Sequence, residues 1–276
     1  MLHPRIDFRG QPAVELQLPE GDRVVAALHG GHLLSWRTAD GTERLYLSPD
    51  AVFDGHAALR GGVPVCFPQF NQRGPLPKHG FARNLPWQLA SDDSDARTLA
   101  LRLTDDEATR RLWPARFEAL LRIAPAPGRL RVTLRVRNTG EAPWSFTAAL
   151  HTYLRVDDAG RARLEGLQGR PRWDAVRDLR FDEPASALQF GEEFDSVFAS
   201  QPGAALTLVQ PSGRLAIAQS DSCTETVVWN PGPLLSQRLD DMPDEGWRHM
   251  LCVEAACIDA PVSLAPGQRW EGWQDL

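Results

Sequence analysis

Apolar and polar residues alternate with a period of two through most of this chain. In "RLRVTLRVRN" (129–138), Leu130, Val132, Leu134 and Val136 fall on one side, and Arg131, Thr133, Arg135 and Arg137 on the other. That spacing belongs to a strand with one buried and one wetted face. "TLALRLT" (98–104) repeats it with Leu99, Leu101 and Leu103. "AVELQLP", "RVVAALHG", "ERLYLS", "AALTLVQ" and "RLAIAQS" predict further short strands, set apart by the turn sequences "PEGD", "ADGT", "APGR" and "PSGR". Helical spacing is scarce. Its best instance is "TDDEATRRLW" (104–113), with Thr104 as N-cap, acids in the first turn, basic residues next and Pro114 as the stop. Many strands, 22 Gly, 22 Pro and almost no helix predict an all-β fold, a large antiparallel sandwich. No linker, repeat or low-complexity tract divides the chain, so a single domain over 1–276 is expected.

Two strands carry an unusual residue on the side away from the apolar stripe. In "WSFTAALHTYLRV" (144–156), Phe146, Ala148, Leu150, Leu154 and Val156 share one face. His151 lies on the other, with Ser145, Thr147, Tyr153 and Arg155, a set that suits a pocket wall; the plain alternative is a surface histidine. In "HMLCVEAACI" (249–258), Leu251, Val253, Ala255 and Cys257 share a face, and Glu254 opposes them between Cys252 and Ala256. A carboxylate among small apolar neighbours is poorly solvated, which raises its pKa toward the range of a reversible proton carrier. Its plain alternative is a Glu paired with a core Arg. An imidazole and a carboxylate on facing walls can move a proton on and off two oxygens without a metal.

Composition narrows the partners. A net charge of -6 disfavours a nucleic-acid binder. The opening "MLHPRIDFRG" has no apolar signal region, and no apolar run reaches the roughly 20 residues that span a bilayer. Four cysteines, Cys66, Cys223, Cys252 and Cys257, sit among strand-like neighbours and read as reduced, buried thiols, so a cytoplasmic protein is expected. His29 and His32 in "LHGGHLL" lack a third ligand at metal-binding spacing, and His32 is expected in a turn. Neither a phosphate-cradling Gly loop nor a nucleophile elbow is present.

Against this acidity, "LRGGVPVCFPQFNQRGPLPKHGFAR" (59–83) gathers Arg60, Arg73, Lys78, His79 and Arg83. Through "RGGVPVCFPQF" (60–70), "KHGFARNLPW" (78–87), "LHTYL" (150–154), "EEFDSVF" (192–198), "VVWNPG" (227–232), "DDMPDEGWRHMLCVEAA" (240–256) and "LAPGQRW" (264–270), the chain resembles the hexose-6-phosphate mutarotases, or glucose-6-phosphate 1-epimerases, of the aldose 1-epimerase superfamily. The blocks follow family order from residue 60 nearly to the C-terminus, while residues 1–59 match loosely. The resemblance implies a galactose mutarotase-like supersandwich of two stacked sheets. It implies His151 as general acid, Glu254 as general base, and Arg60, Lys78 and Arg83 as ligands of the phosphorylated sugar. Asp195 would hold a sugar hydroxyl, and His79 would contact the sugar or the loop. It implies an isomerase that exchanges the α and β anomers of an aldohexose 6-phosphate, glucose 6-phosphate foremost, as a monomer without cofactor. Guanidinium groups grip phosphate in bidentate fashion, and an ammonium adds a point charge. Gly61, Gly62 and Gly80 are expected to let the backbone bend close to the ligand.

Three positions depart from the family pattern. Gln69 stands where an aromatic is common, Lys78 where Gln is common, and the insert "NQRGPLP" adds Arg73, which is expected to face water. Alternatives are a mutarotase for unphosphorylated aldoses, a non-catalytic carbohydrate-binding protein, and a glycoside hydrolase using Asp195 with Glu254. The acid/base scheme also expects negative charge near His151 to support an imidazolium.

Overall fold

The structure is a computed structural model that describes residues 3–276. Alternation translates directly into sheets. The strand Arg129–Asn138 has the bounds read from its sequence, and its Leu130, Val132, Leu134 and Val136 are buried. It lies inside a nine-stranded sheet between Arg269–Asp275 and Phe117–Ala126. On its outer side Arg131 pairs with Asp275 and covers the Trp273 ring, and Arg135 pairs with Glu271.

The second large sheet has eight strands. Along its main path come Leu179–Asp182, Pro171–Asp174, Phe194–Ala199, Glu225–Asn230, Met250–Leu264, Trp144–Leu150 and Val65–Cys66, while Tyr153–Arg155 pairs separately with Met250–Leu264. A four-stranded sheet, Arg5–Phe8, Gln11–Gln17, Arg23–Ala27 and His32–Arg37, completes the described strands. The main apolar core joins Leu130–Val136 side chains of one large sheet to Phe146, Ala148, Leu150, Leu251, Val253 and Cys257 of the other. This is an antiparallel sandwich, as the alternation predicts. Phe67 anchors the cation-rich loop in that core, edge-on to Trp113, Phe117 and Phe146.

Several local expectations change. Helix Glu107–Leu112 is capped by Asp106, which accepts from the Thr109 N–H while the Thr109 hydroxyl accepts from the Asp106 N–H; Thr104 ends the preceding strand. A reciprocal box satisfies two orphan donors, where a cap at Thr104 would satisfy one. "ERLYLS" forms isolated bridges in place of a strand, because Glu43, Leu45 and Leu47 each pair with a different segment. His32 opens a strand, buried, with Nε2 2.6 Å from the Gly61 carbonyl oxygen; His29 Nε2 is likewise 2.8 Å from that of Ala57. All four cysteines are buried and unpaired. No helix among the described residues is long and apolar enough to cross a membrane.

Candidate active site

On the face of the eight-stranded sheet turned away from the core, register sets side chains in rows. Tyr153 lies opposite Cys252, Cys252 opposite Trp229, and Trp229 opposite Asp195. The adjoining row runs from Glu254 through Val227 to Val197. Partners in an antiparallel ladder share a face, so strand pairing alone brings these residues together.

His151 enters this face where pairing breaks. Trp144–Leu150 ends before it and Tyr153–Arg155 begins two residues later. Its N–H donates to the Pro64 carbonyl at 3.0 Å, in the register that pairs Leu150 with Val65. The break is clasped from behind: the Thr152 hydroxyl donates to the Gln274 side chain, whose Nε2 donates to the Val253 carbonyl. The imidazole stacks on Tyr153 at 4.8 Å and meets His79 and Trp229 edge-on.

His151 Nδ1 lies 3.4 Å from Glu254 Oε1. The imidazole is 8 % exposed and Glu254 1 % exposed, and neither His151 Nδ1 nor Glu254 Oε2 has a hydrogen-bond partner among the described residues. Buried polar atoms are almost always satisfied, so two orphans side by side mark a place meant for a ligand. A separation slightly long for a hydrogen bond is usual before substrate tightens an acid/base pair.

Burial first, then Asp195, pushes the Glu254 carboxyl well above the usual carboxylate range, against the pull of Arg83. Burial first, then His79, Arg83 and Arg60, holds the His151 imidazole well below its ordinary value. Beside the carboxyl that the expected support for an imidazolium calls for, two cations, Arg83 and Arg60, act on the ring in the opposite sense.

The loop carrying the cations closes on itself. Gln69, the family departure, donates to the Asn71 and Leu76 carbonyls and accepts from the Leu76 N–H, which ties off the insert. His79 sits at φ +66, a left-handed conformation uncommon outside glycine. Its Nδ1 accepts from the Asn71 N–H at 3.3 Å and lies 3.2 Å from Cys66 Sγ. Gly62 and Gly80 also have positive φ, but a Cβ there would strike the Leu33 and Phe67 carbonyl oxygens, each at 2.2 Å. A Cβ on Gly61 would likewise lie 2.4 Å from the Tyr46 carbonyl oxygen, so the framework itself requires all three glycines.

The cations divide by what holds them. Arg60 is engaged, with Nε on Asp241 and Nη1 on the Tyr153 hydroxyl, both at 3.1 Å. Arg73, expected in water, instead pairs with Asp259 at 2.5 Å and lies 4.7 Å over the Trp173 ring, pinning the loop across the sheet. Lys78 is exposed and makes none of these pairings. Arg83 donates to the Lys78 carbonyl at 3.1 Å and leaves its Nε without a partner. Sequence reading gave no role to Asp241, Tyr153, Cys252 or Trp229; Tyr153 and Cys252 had a signal, their places on the faces of His151 and Glu254.

Asp195 shows what site geometry costs. Burial, then Glu193, raises its carboxyl to about 6 against the pull of Lys78. It also borders a cavity of about 910 Å³ with Asp174, Arg177, Phe194 and Leu234, which neither His151 nor Glu254 lines. Among the described residues no such orphaned pair lines that cavity. Because the folded state keeps the Asp195 proton that the unfolded chain loses above about 4, stability falls as pH rises from there to about 6 and stays lowered above it. Asp195→Asn should therefore gain about 1–2 kcal/mol at pH 8, discounted for partial exposure, and nothing at pH 4. Urea unfolding at both pH values checks this, and a variant destabilised at pH 8 contradicts it.

Comparison with known proteins agrees with this geometry. The family described as Aldose 1-epimerase matches residues 12–276. A protein from Escherichia coli strain K12, provisionally named glucose-6-phosphate 1-epimerase, is 37% identical over 263 residues, covering 92% of this chain and 87% of its own. A Cenchrus ciliaris protein with the same provisional name is 36% identical over 256 residues, 89% of this chain and 78% of its own. The crystal structure of a provisionally named mutarotase from Salmonella typhimurium superposes with a TM-score of 0.87 at 30% identity, over 99% of this chain and 92% of that one. On these grounds, and with its imidazole and carboxylate meeting on the outer face of the second sheet, the chain belongs to the aldose 1-epimerase family.

Proposed function

We propose that this protein interconverts the α and β anomers of an aldohexose 6-phosphate, glucose 6-phosphate foremost, by acid/base ring opening and closure. The observation that carries the reading is the buried His151–Glu254 contact at 3.4 Å, with one unsatisfied atom on each partner. Phosphate is gripped by Arg83 and Lys78, with Arg60 adding charge behind its Asp241 pair. His79 and Asp195 position the sugar, Asp195 accepting from a hydroxyl. All of these come from one chain, which acts as a monomer, and its unpaired thiols suit the cytoplasm.

The reaction needs one group to accept a proton from the C1 hydroxyl and one to give a proton to the ring oxygen. A single proton shared by the pair serves both. The phosphate dianion offsets Arg83 and Arg60, whose charges hold His151 down, and so favours that proton on the imidazole. Glu254 then takes the C1 hydroxyl proton while His151 protonates the ring oxygen, and the C1–O5 bond breaks. Rotation about C1–C2 exposes the other face of the aldehyde, and closure reverses both transfers.

Saturation-transfer NMR between the anomeric protons of glucose 6-phosphate tests this. Adding the protein should accelerate exchange of glucose 6-phosphate and leave that of free glucose much slower. Equal acceleration of both sugars would favour the unphosphorylated-aldose reading, and none for either would leave a binding protein.

A further inference from the structure

Beside the proton-carrying pair stands a third donor with no part in the acid/base scheme. Cys252 Sγ, an imidazole nitrogen of His151 and a Glu254 carboxylate oxygen all lie within 4.8 Å of one another, and all three residues are buried. Register explains the cluster: Cys252 and Glu254 alternate onto one face of a strand, and His151 comes from the break in its neighbour. The structure assigns these atoms to a latent metal site: we propose that they bind a borderline or soft divalent cation, Zn(II) or Cd(II), and that the bound ion stops anomerisation.

The donor chemistry fits such ions. Thiolate, imidazole and carboxylate together suit Zn(II) and its softer congeners and disfavour Mg(II). Around tetrahedral Zn(II), neighbouring donor atoms sit about 3.3–3.6 Å apart. Contraction from at most 4.8 Å is within reach of side-chain rotation on fixed strands. Two orphaned atoms already point to a missing partner, His151 Nδ1 and Glu254 Oε2. Charge closes as well: thiolate and carboxylate cancel the dication, so Arg60 and Arg83 face a neutral cluster. Binding releases the thiol proton and any proton on the carboxyl to solvent; no electron moves. Three protein ligands leave a fourth position open to water. The ion occupies the very atoms that would carry the proton, so inhibition rests on the anomerisation reading, while binding does not.

The test is a Cd(II) titration of the intact protein, read by the ultraviolet thiolate-to-Cd(II) band, with anomer exchange measured beside it in Zn(II). Wild type and Cys66→Ala should both show the band. Cys252→Ala and Cys252→Ser should lose it, with metal affinity down about a hundredfold for one lost ligand. Zn(II) should slow wild type but change each Cys252 variant little relative to its own metal-free rate, and Mg(II) should do neither. No band in wild type, a band that survives in both Cys252 variants, or a band lost in Cys66→Ala instead would overturn the site. If the protein proves not to anomerise sugar phosphates, the Cd(II) band still decides whether the ion binds.

Discussion

Replacing Glu254 by Gln lowers the rate of anomer exchange by about 10²–10⁴, with fold and sugar affinity nearly kept. Burial pushes the carboxyl well above the usual carboxylate range, and a neutral amide of the same shape fills the same space without a new charge or cavity. The amide can still reach a sugar hydroxyl. It cannot hold and return a proton at neutral pH, and His151 alone can serve only one end of the exchange. Comparing kcat with the affinity for glucose 6-phosphate separates these roles: kcat should collapse and affinity move little. Near-normal exchange in Glu254→Gln would remove the carboxyl from the mechanism, and a variant that fails to fold would show a structural role instead.

The second large effect concerns phosphate. Lys78→Ala should raise KM for glucose 6-phosphate by ~10–100-fold, the worth of one hydrogen bond to a charged group, and leave free glucose nearly unchanged. Lys78 is the clean probe because it is exposed and outside the ion pairs that hold Arg60 and Arg73. Arg83→Ala should cost the phosphorylated sugar at least as much, but it should also alter kcat. Its charge acts on both His151 and Glu254, so removing it shifts the resting place of their shared proton. Equal losses for glucose and glucose 6-phosphate in Lys78→Ala would show that the ammonium does not meet the phosphate.

How much of this was legible in the sequence follows from the range of each interaction. Period-two alternation is local, and Arg129–Asn138 could be read residue for residue. Opposite faces were also readable: Leu251 and Val253 go to the core, Cys252 and Glu254 to the other side. The row from Tyr153 to Asp195 was not, because it depends on the register of four strands, which no single segment encodes. Arg60 reads as a free phosphate ligand until Asp241, distant in the chain, is found on its Nε. The same holds for Arg73, whose partners Asp259 and Trp173 come from other strands. The cations acting on His151 were hidden for a like reason: Arg83 and Arg60 reach the ring only through folding.

The side-by-side placement of Glu254 and His151 has one more consequence, for how the protein acquires activity. Within the long strand Met250–Leu264, the stretch 250–254 alternates between two environments, Leu251 and Val253 in the core and Met250, Cys252 and Glu254 on the other face. Sliding it by one position would turn the carboxylate into the oily interior and send Val253 outward. No partly zipped intermediate can then be a weak enzyme, since the chemistry arrives only with the last correct pairing between remote segments, the slow kind to form. Recovery of turnover during refolding should thus lag behind the return of sheet structure.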